Sequence, residues 1–243
     1  MLMRIDSIEG LESCMAETRA FRRSNQRPFV TVSYAQSVDG SIATRNRQPI
    51  GLSGPESMRL THQIRACSDA ILIGIGTLLA DDPRLNVRLV DGKNPQPVVL
   101  DTHLRTPLDA KLVKQANTPP WLINAAGEHS KQFLTLRSAG STPVLCKTAG
   151  DGKIDLHALM QILAARKINS IMVEGGAQVI TSFVNARLVD QFIVTISPRF
   201  VGGLSVINSK GMDIEKNLEL TGVSYRIMGD DLVIWARPKW HPK

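Results

Sequence analysis

The chain has 243 residues, 43% hydrophobic and 21% charged, which is ordinary globular composition and enough for one large α/β domain or two small ones without a disulfide or metal staple. The formal charge of +7 suits nucleic acid or phosphorylated small molecules, but the basic residues are scattered and aromatics make up only 5%, which argues against a nucleic-acid stacking platform. Apolar runs such as Ala70–Ile73 are too short for a bilayer, and Asp6, Glu9, Glu12 and Glu17 interrupt any apolar signal core.

Cys14, Cys67 and Cys146 are far apart, and there is no CxxC or HxE pairing. They read as reduced thiols of a cytoplasmic protein, with no metal site expected. Residues 1–27 read as a helical preface, because Ile5, Ile8, Leu11 and Met15 recur at helical spacing despite Gly10. Arg22, Arg23, Asn25, Gln26, Arg27 and Pro28 read as a polar link. The sequence leaves the preface open between an appendage and a lid. Residues 28–243 form the main domain.

Phe29 to Ala35 is the first expected strand, with Val30, Val32 and Tyr34 on one face. Ser37-Val38-Asp39-Gly40 ends it with turn chemistry. Ser53-Gly54-Pro55-Glu56 reads as a helix start, with Ser53 as cap and Glu56 at capping-box distance. Met58, Thr61 and Ile64 are expected on the core face of that helix. Ala70–Ile73, Val98–Leu100, Trp121–Ile123, Val144–Leu145 and Ile171–Val173 are short apolar strands. Asp155 caps a helix that carries Leu156, Leu159, Met160 and Leu163. A further helix begins after Gly176 with Val179, Ile180 and Phe183 inward. Phe192–Ile196 and Leu232–Trp235 close the strand set and are candidates to run antiparallel. Apolar strands alternating with amphipathic helices indicate an α/β fold with a mostly parallel sheet and helices on both faces.

In such sheets, ligands bind beyond the carboxyl ends of the strands. One end here is Gly74-Ile75-Gly76-Thr77. It has the form of half a dinucleotide fingerprint, with Leu79 where a third glycine would stand. A tight strand–helix turn would use the same residues. A second end, Glu174-Gly175-Gly176-Ala177, offers two glycines at a helix start, an anion cradle; Glu174 alone could equally be a solvated carboxylate. A third, Asp101-Thr102-His103-Leu104-Arg105, places a hydroxyl and a guanidinium where an adenosine phosphate could sit, though polar turns look alike. Arg65 at a helix end and Arg88 after Asp81-Asp82 each have a structural reading as well. There is no Walker loop, Gly-x-Ser-x-Gly elbow or catalytic Cys/His arrangement.

The ordered set Tyr34–Ala43, Leu52–Glu56, Ile64–Ala66, Asp69–Thr77, Leu79–Pro83, Val98–Thr102, Val173–Gly176 and Leu188–Asp190 resembles the pyrimidine reductases of riboflavin biosynthesis over about residues 28–236. The resemblance implies a dihydrofolate-reductase-like fold and a homodimer. It implies reduction of a ribosylaminopyrimidine 5′-phosphate to the ribitylaminopyrimidine with NADPH. It implies cofactor contacts at Gln36, Gly51, Thr77, Asp81 and Thr102 and along Gly176, Ala177, Gln178, Val179, Ile180, Thr181 and Ser182. Substrate contacts are implied at Arg65, Leu85, Arg88 and Glu174. Arg105 is added from its place beside Thr102, as a partner for the adenosine phosphate.

Bacterial two-function members often carry Lys where Ser33 aligns, so Tyr34-Ala35-Gln36-Ser37 looks more like the free-standing fungal reductases, which act before deamination. No HxE or PCxxC is present, so deamination is expected to need another protein. Asp39, Asp81 and Glu174 are the candidates to organise a proton, with Asp39 read as structural. Rival readings are a related NADPH reductase of a folate-like heterocycle and a non-catalytic nucleotide-binding module. The dimer interface is expected around Phe192 to Val201.

Overall fold

Runs of Val, Ile and Leu without polar alternation are buried on both faces only inside a helix-covered sheet. The protein is described by a computed structural model that covers residues 8–114, 118–207 and 218–240, with residues 8–16 as backbone alone. Helix α1 (Ile8–Asn25) precedes β1 (Phe29–Ser37) and the short β2 (Ser41–Ala43). Helix α2 (Pro55–Cys67) leads to β3 (Ala70–Gly74), which passes straight into α3 (Ile75–Asp81). Then come β4 (Gln96–Leu100), α4 (Lys111–Lys114), β5 (Trp121–Asn124), α5 (Lys131–Ser138), β6 (Thr142–Leu145) and α6 (Leu156–Ala165). The chain continues with β7 (Ser170–Val173), α7 (Ala177–Asn185), β8 (Gln191–Ser197), β9 (Leu204–Ser205), β10 (Glu219–Met228) and β11 (Asp231–Lys239).

The main sheet has nine strands in the order β10-β11-β8-β1-β7-β3-β4-β5-β6. Every pairing from β8 to β6 is parallel. β11 runs antiparallel to β8, and β10 antiparallel to β11. The expected α/β fold with a mostly parallel sheet therefore forms. β8 departs from expectation: it is parallel to β1, with its other edge taken by β11.

Alternate residues of β3 face opposite cores. Ala70 and Leu72 pack with Leu159 and Leu163 of α6 and with Ile180 and Phe183 of α7. Ile71 and Ile73 pack with Leu78, Leu112 and Phe133. Helix α2 lays Leu60 and Ile64 on Met172, Ile193 and Val233. Each such side chain contributes about 1.5–3 kcal/mol on burial.

Asp155 caps α6 as its position predicts, accepting from the amides of His157 and Ala158. The start of α2 is built differently. Its N-cap is Gly54, without a side-chain cap, so Ser53 does not serve. Asp231, at the start of β11, accepts from the Gly54 amide at 2.7 Å and from the Ser57 hydroxyl. The buried residues of α2 are Ser57, Leu60, His62, Ile64, Arg65 and Cys67; of the expected trio only Ile64 is fully inside.

Arg22, Arg23 and Asn25 belong to α1 and not to a link. Arg22 donates to Asn169 at 2.7 Å, Arg27 makes a two-point pair with Asp190, and Phe21 meets Phe29 edge-on. These contacts dock the end of α1 at the amino ends of β1, β7 and β8, away from the strand carboxyl ends. Ile5 lies outside the described residues. Among the described residues, no helix is long and apolar enough to cross a membrane.

Candidate active site

Chain order reverses between β3 and β7. From β3 the chain builds outward through β4, β5 and β6; it then returns as β7 and continues to β8 beyond β1. The carboxyl ends of β3 and β7 thus flank a topological switch point, where open α/β sheets hold ligands. Both strands leave it through glycine.

Gly74 ends β3. A Cβ there would lie 2.6 Å from Val179 Cγ2, so α7 packs directly on this strand end. That close helix–strand approach is what a third fingerprint glycine normally permits; Leu79, at the fingerprint position, is exposed. Gly176 caps α7 with φ +78°, and a Cβ there would lie 3.0 Å from Thr77 Oγ1. The two turns therefore abut, with the Thr77 hydroxyl beside Gly175-Gly176. The first ladder bond of α7 runs from the Ile180 amide to the Gly176 carbonyl. The amides of Ala177, Gln178 and Val179 precede it, at a helix end with no side-chain cap, and form an anion cradle. Ala177, Val179, Ile180 and Thr181 are buried, so any ligand meets that stretch through main chain. Gln178 is exposed and Ser182 half-buried.

Glu174 immediately precedes this cradle. Its two oxygens accept from Nε and Nη2 of Arg65, each at 2.6 Å. Arg65 Nη1 donates to the Asn86 carbonyl at 3.0 Å. Burial works against the Arg65 charge, but Glu174 outweighs it and raises the guanidinium pKa. Three of the five N–H groups of a guanidinium are thus used inside the protein, so Arg65 holds Glu174 and keeps one N–H on each of Nη1 and Nη2 for a ligand.

Arg88 is exposed, with one long hydrogen bond of 3.4 Å to the Asn86 side chain. Desolvation and the nearby cations Arg65 and Arg84 lower its pKa, against the pull of Glu174. Leu85 is 2% exposed, in the core under α3; with φ +51°, it offers a ligand its backbone alone.

The other predicted residues lie around this centre. Asp81 ends α3 one turn beyond Thr77 and is exposed, yet surrounding protein atoms desolvate its carboxyl and push the pKa up. Gln36 lies near the end of β1. Gly51 accepts from Arg199 Nη1 at 2.9 Å, which places it beside the loop after β8. Asp39 ties that loop down: it accepts from the Ser37 and Ser41 hydroxyls and from the amides of Val201 and Gly202. These bonds, led by Ser37, hold its carboxyl far below the usual range. Asp39 is structural, as its sequence position suggests.

Beyond β4, Asp101 is wholly buried and accepts from the amide and hydroxyl of Thr106 at 2.8 and 2.7 Å. Thr102 is half-buried. Arg105 lies 3.8 Å from Asp101 with its side chain 56% exposed, so the guanidinium is tethered at the base and open outward.

His62, which accepts from the Arg88 amide, and Asp231, which accepts from the Gly54 amide 177 residues away, carry no signal in the sequence.

Comparison with known proteins points to one family. The Methanothermobacter thermautotrophicus 2,5-diamino-6-ribosylamino-4(3H)-pyrimidinone 5′-phosphate reductase is 34% identical over 215 residues, covering 86% of this chain and 97% of that protein. The Actinobacillus pleuropneumoniae riboflavin biosynthesis protein RibD is 31% identical over 238 residues; these cover 95% of this chain but 63% of that relative's length. Among solved structures, the Saccharomyces cerevisiae riboflavin biosynthesis reductase Rib7 superposes with a TM-score of 0.71 at 30% identity, covering 88% of this chain and 90% of that one. The family model of the RibD C-terminal domain matches residues 28–234, and with both strand-end glycine turns and the Arg65–Glu174 pair inside that span, the chain belongs to the RibD C-terminal domain family.

Proposed function

We propose that the chain reduces a ribosylaminopyrimidine 5′-phosphate to its ribitylaminopyrimidine counterpart, with NADPH, in riboflavin biosynthesis. The observation that carries this is the single turn Glu174-Gly175-Gly176. Its carboxylate is fixed by Arg65 toward one neighbourhood, and its glycines form a cradle with Thr77 in the next. One turn therefore aligns two ligands, which is the positioning a reductase needs. The relatives of similar length are named as reductases.

The cradle fits a dinucleotide cofactor, because a Cβ at Gly176 would fill the space beside Thr77. The main chain of Gly176 to Val179 and the Thr77 hydroxyl would hold its pyrophosphate, with Gln36, Gly51 and Asp81 around it. Thr102 and Arg105 would take the adenosine phosphate. Hydride is the chemistry such a cofactor supplies.

Arg88 takes the phosphate or ribosyl end of the substrate, and Glu174 orients its other polar groups. Both oxygens of Glu174 already accept from Arg65, and Asp39 is committed to its four bonds. Asp81, with its raised carboxyl pKa, is the group suited to hold a proton and pass it through water.

The chain works as a cytoplasmic homodimer, in which residues 1–27 are a preface to the reductase unit 28–243. Cys67 and Cys146 are buried and not joined in a disulfide among the described residues, which suits a reducing compartment. Within the expected interface, Phe192 to Val201, residues Phe192–Val194 are buried between β1 and β11, while Phe200 is exposed. β10 offers a further exposed apolar face and carries the dimer contact. Val223, Tyr225 and Ile227 are exposed there, and the bulge between Thr221 and Ser224 brings exposed Leu220 onto their face.

The test is NADPH oxidation with the aminated and the deaminated ribosyl pyrimidine phosphates. Turnover of either is expected. Cofactor binding without turnover of any substrate supports the binding-module reading instead.

A further inference from the structure

We propose that His62 is a positioning residue for the substrate phosphate: its Nδ1 holds the main chain of Arg88 and so sets where the Arg88 guanidinium stands. The inference rests on the reductase reading above. It begins with spacing. His62 and Arg65 are three residues apart on α2 and therefore neighbours on its surface. Arg65 Nη1 grips the Asn86 carbonyl at 3.0 Å, and His62 Nδ1 accepts from the Arg88 amide at 3.1 Å. Helix α2 thus holds the segment 86–88 at two points, directly after the buried Leu85. Of the two cations in this cluster, Arg65 is fixed by its own ion pair. Arg88 has no comparable side-chain anchor among its described hydrogen bonds, so its backbone position is what His62 controls.

Two further observations set His62 apart from a packing residue. It is wholly buried, and its Nε2 has no hydrogen-bond partner among the described residues. Because Nδ1 accepts, Nε2 carries the proton. A buried unpaired donor destabilises a fold, so an apolar side chain would serve better if filling space were the only task. The imidazole also stays neutral: burial first, then Arg65 and Arg88, bring its pKa down to about 4. The acceptor therefore persists at neutral pH, because burial and the two cations both disfavour protonation.

Three substitutions in the full chain separate the roles. His62→Leu fills the site without an acceptor. His62→Asn carries an oxygen near the place of Nδ1. His62→Gln carries its amide near the place of Nε2. His62→Leu and His62→Gln are expected to raise KM for the ribosylaminopyrimidine phosphate roughly tenfold, the loss of about one hydrogen bond. The kcat and the NADPH Kd should stay close to wild type, and His62→Asn should restore KM. The proposal is overturned if His62→Leu folds and keeps the wild-type KM. It is equally overturned if NADPH and pyrimidine binding weaken together and His62→Asn rescues neither. Should His62→Leu not fold, equal KM values for the Asn and Gln variants overturn it. Absence of turnover by the wild-type chain instead counts against the reductase reading, and NADPH titration of that same chain tells the two failures apart.

Discussion

Arg65 and Glu174, 109 residues apart in sequence, meet as a two-point ion pair with both bonds at 2.6 Å and side-chain exposures of 10% and 13%. Removing one partner leaves a largely buried charge uncompensated, which costs about 3–5 kcal/mol. Arg65→Ala and Glu174→Ala should each lower the Tm as well as the affinity for the pyrimidine. The double variant should lose less stability than the sum of the singles, as coupled partners do. Thermal unfolding of all three proteins checks this, and strictly additive losses would show that the pair is not a unit.

Gly176 combines φ +78° with a Cβ position 3.0 Å from the Thr77 hydroxyl. Gly176→Val should cost about 1–3 kcal/mol in backbone strain and close the cradle. NADPH affinity should fall far more than overall stability. Fluorescence titration of the folded variant is the measurement, and wild-type affinity there would falsify this cofactor placement.

Arg105 stands 56% exposed beside buried Asp101, positioned to meet a phosphate without having to leave a strong partner. Charge-assisted hydrogen bonds contribute about 1.5–3 kcal/mol each. Arg105→Ala should weaken NADPH by about that amount and spare NADH. Parallel titrations decide the matter: equal losses for both cofactors would remove Arg105 from the adenosine phosphate.

Tyr225 and Ile227 are each 74% exposed on an edge strand, an apolar edge of the kind proteins normally cover or charge. Tyr225→Glu with Ile227→Glu should give a monomer with its fold intact. Sedimentation of both proteins at micromolar concentration reads this directly. A monomeric wild type, or a variant that still dimerises, would place the contact elsewhere or nowhere.

Asp39 is a carboxylate whose native pKa lies far below its unfolded value of about 3.9. A depressed carboxylate stabilises the fold fully above the unfolded pKa, and that contribution is lost as pH falls from there toward the native pKa. Asp39→Asn should therefore lower the urea midpoint near neutrality, with the difference from wild type shrinking below about pH 4. A gap that stays constant down to strongly acid pH would mean that the charge of Asp39 is not what holds the loop.

The parallel sheet was legible because its strands are buried on both faces, which leaves continuous runs such as Ala70–Ile73. The Asp155 cap was legible because cap and capped amides lie within three residues. β10 was not, since ten mostly exposed residues broken by Gly222 and a bulge carry no core pattern. At the site, residue types pointed to Thr77, Gly176, Arg65 and Glu174, but not to the partnership of the last two. That pairing left no sign in sequence because Glu174 lies 109 residues from Arg65, at the end of β7. His62 was hidden for the same reason: its partner is the Arg88 main-chain amide, and an amide leaves no signature in sequence.

The start of α2 has a bearing on the order in which this chain matures. The helix that presents His62 and Arg65 begins at Pro55, yet the side chain that satisfies its first turn, Asp231, follows Gly54 by 177 residues. A chain emerging from the ribosome therefore makes this helix well before the residue that completes the helix's amino end. Contacts of such wide separation form slowly. β11 is thus more than a strand of the sheet: until it docks, the first turn of the helix carrying Arg65 lacks the Asp231 carboxylate, and shortening the chain before Asp231 would loosen that helix at its start.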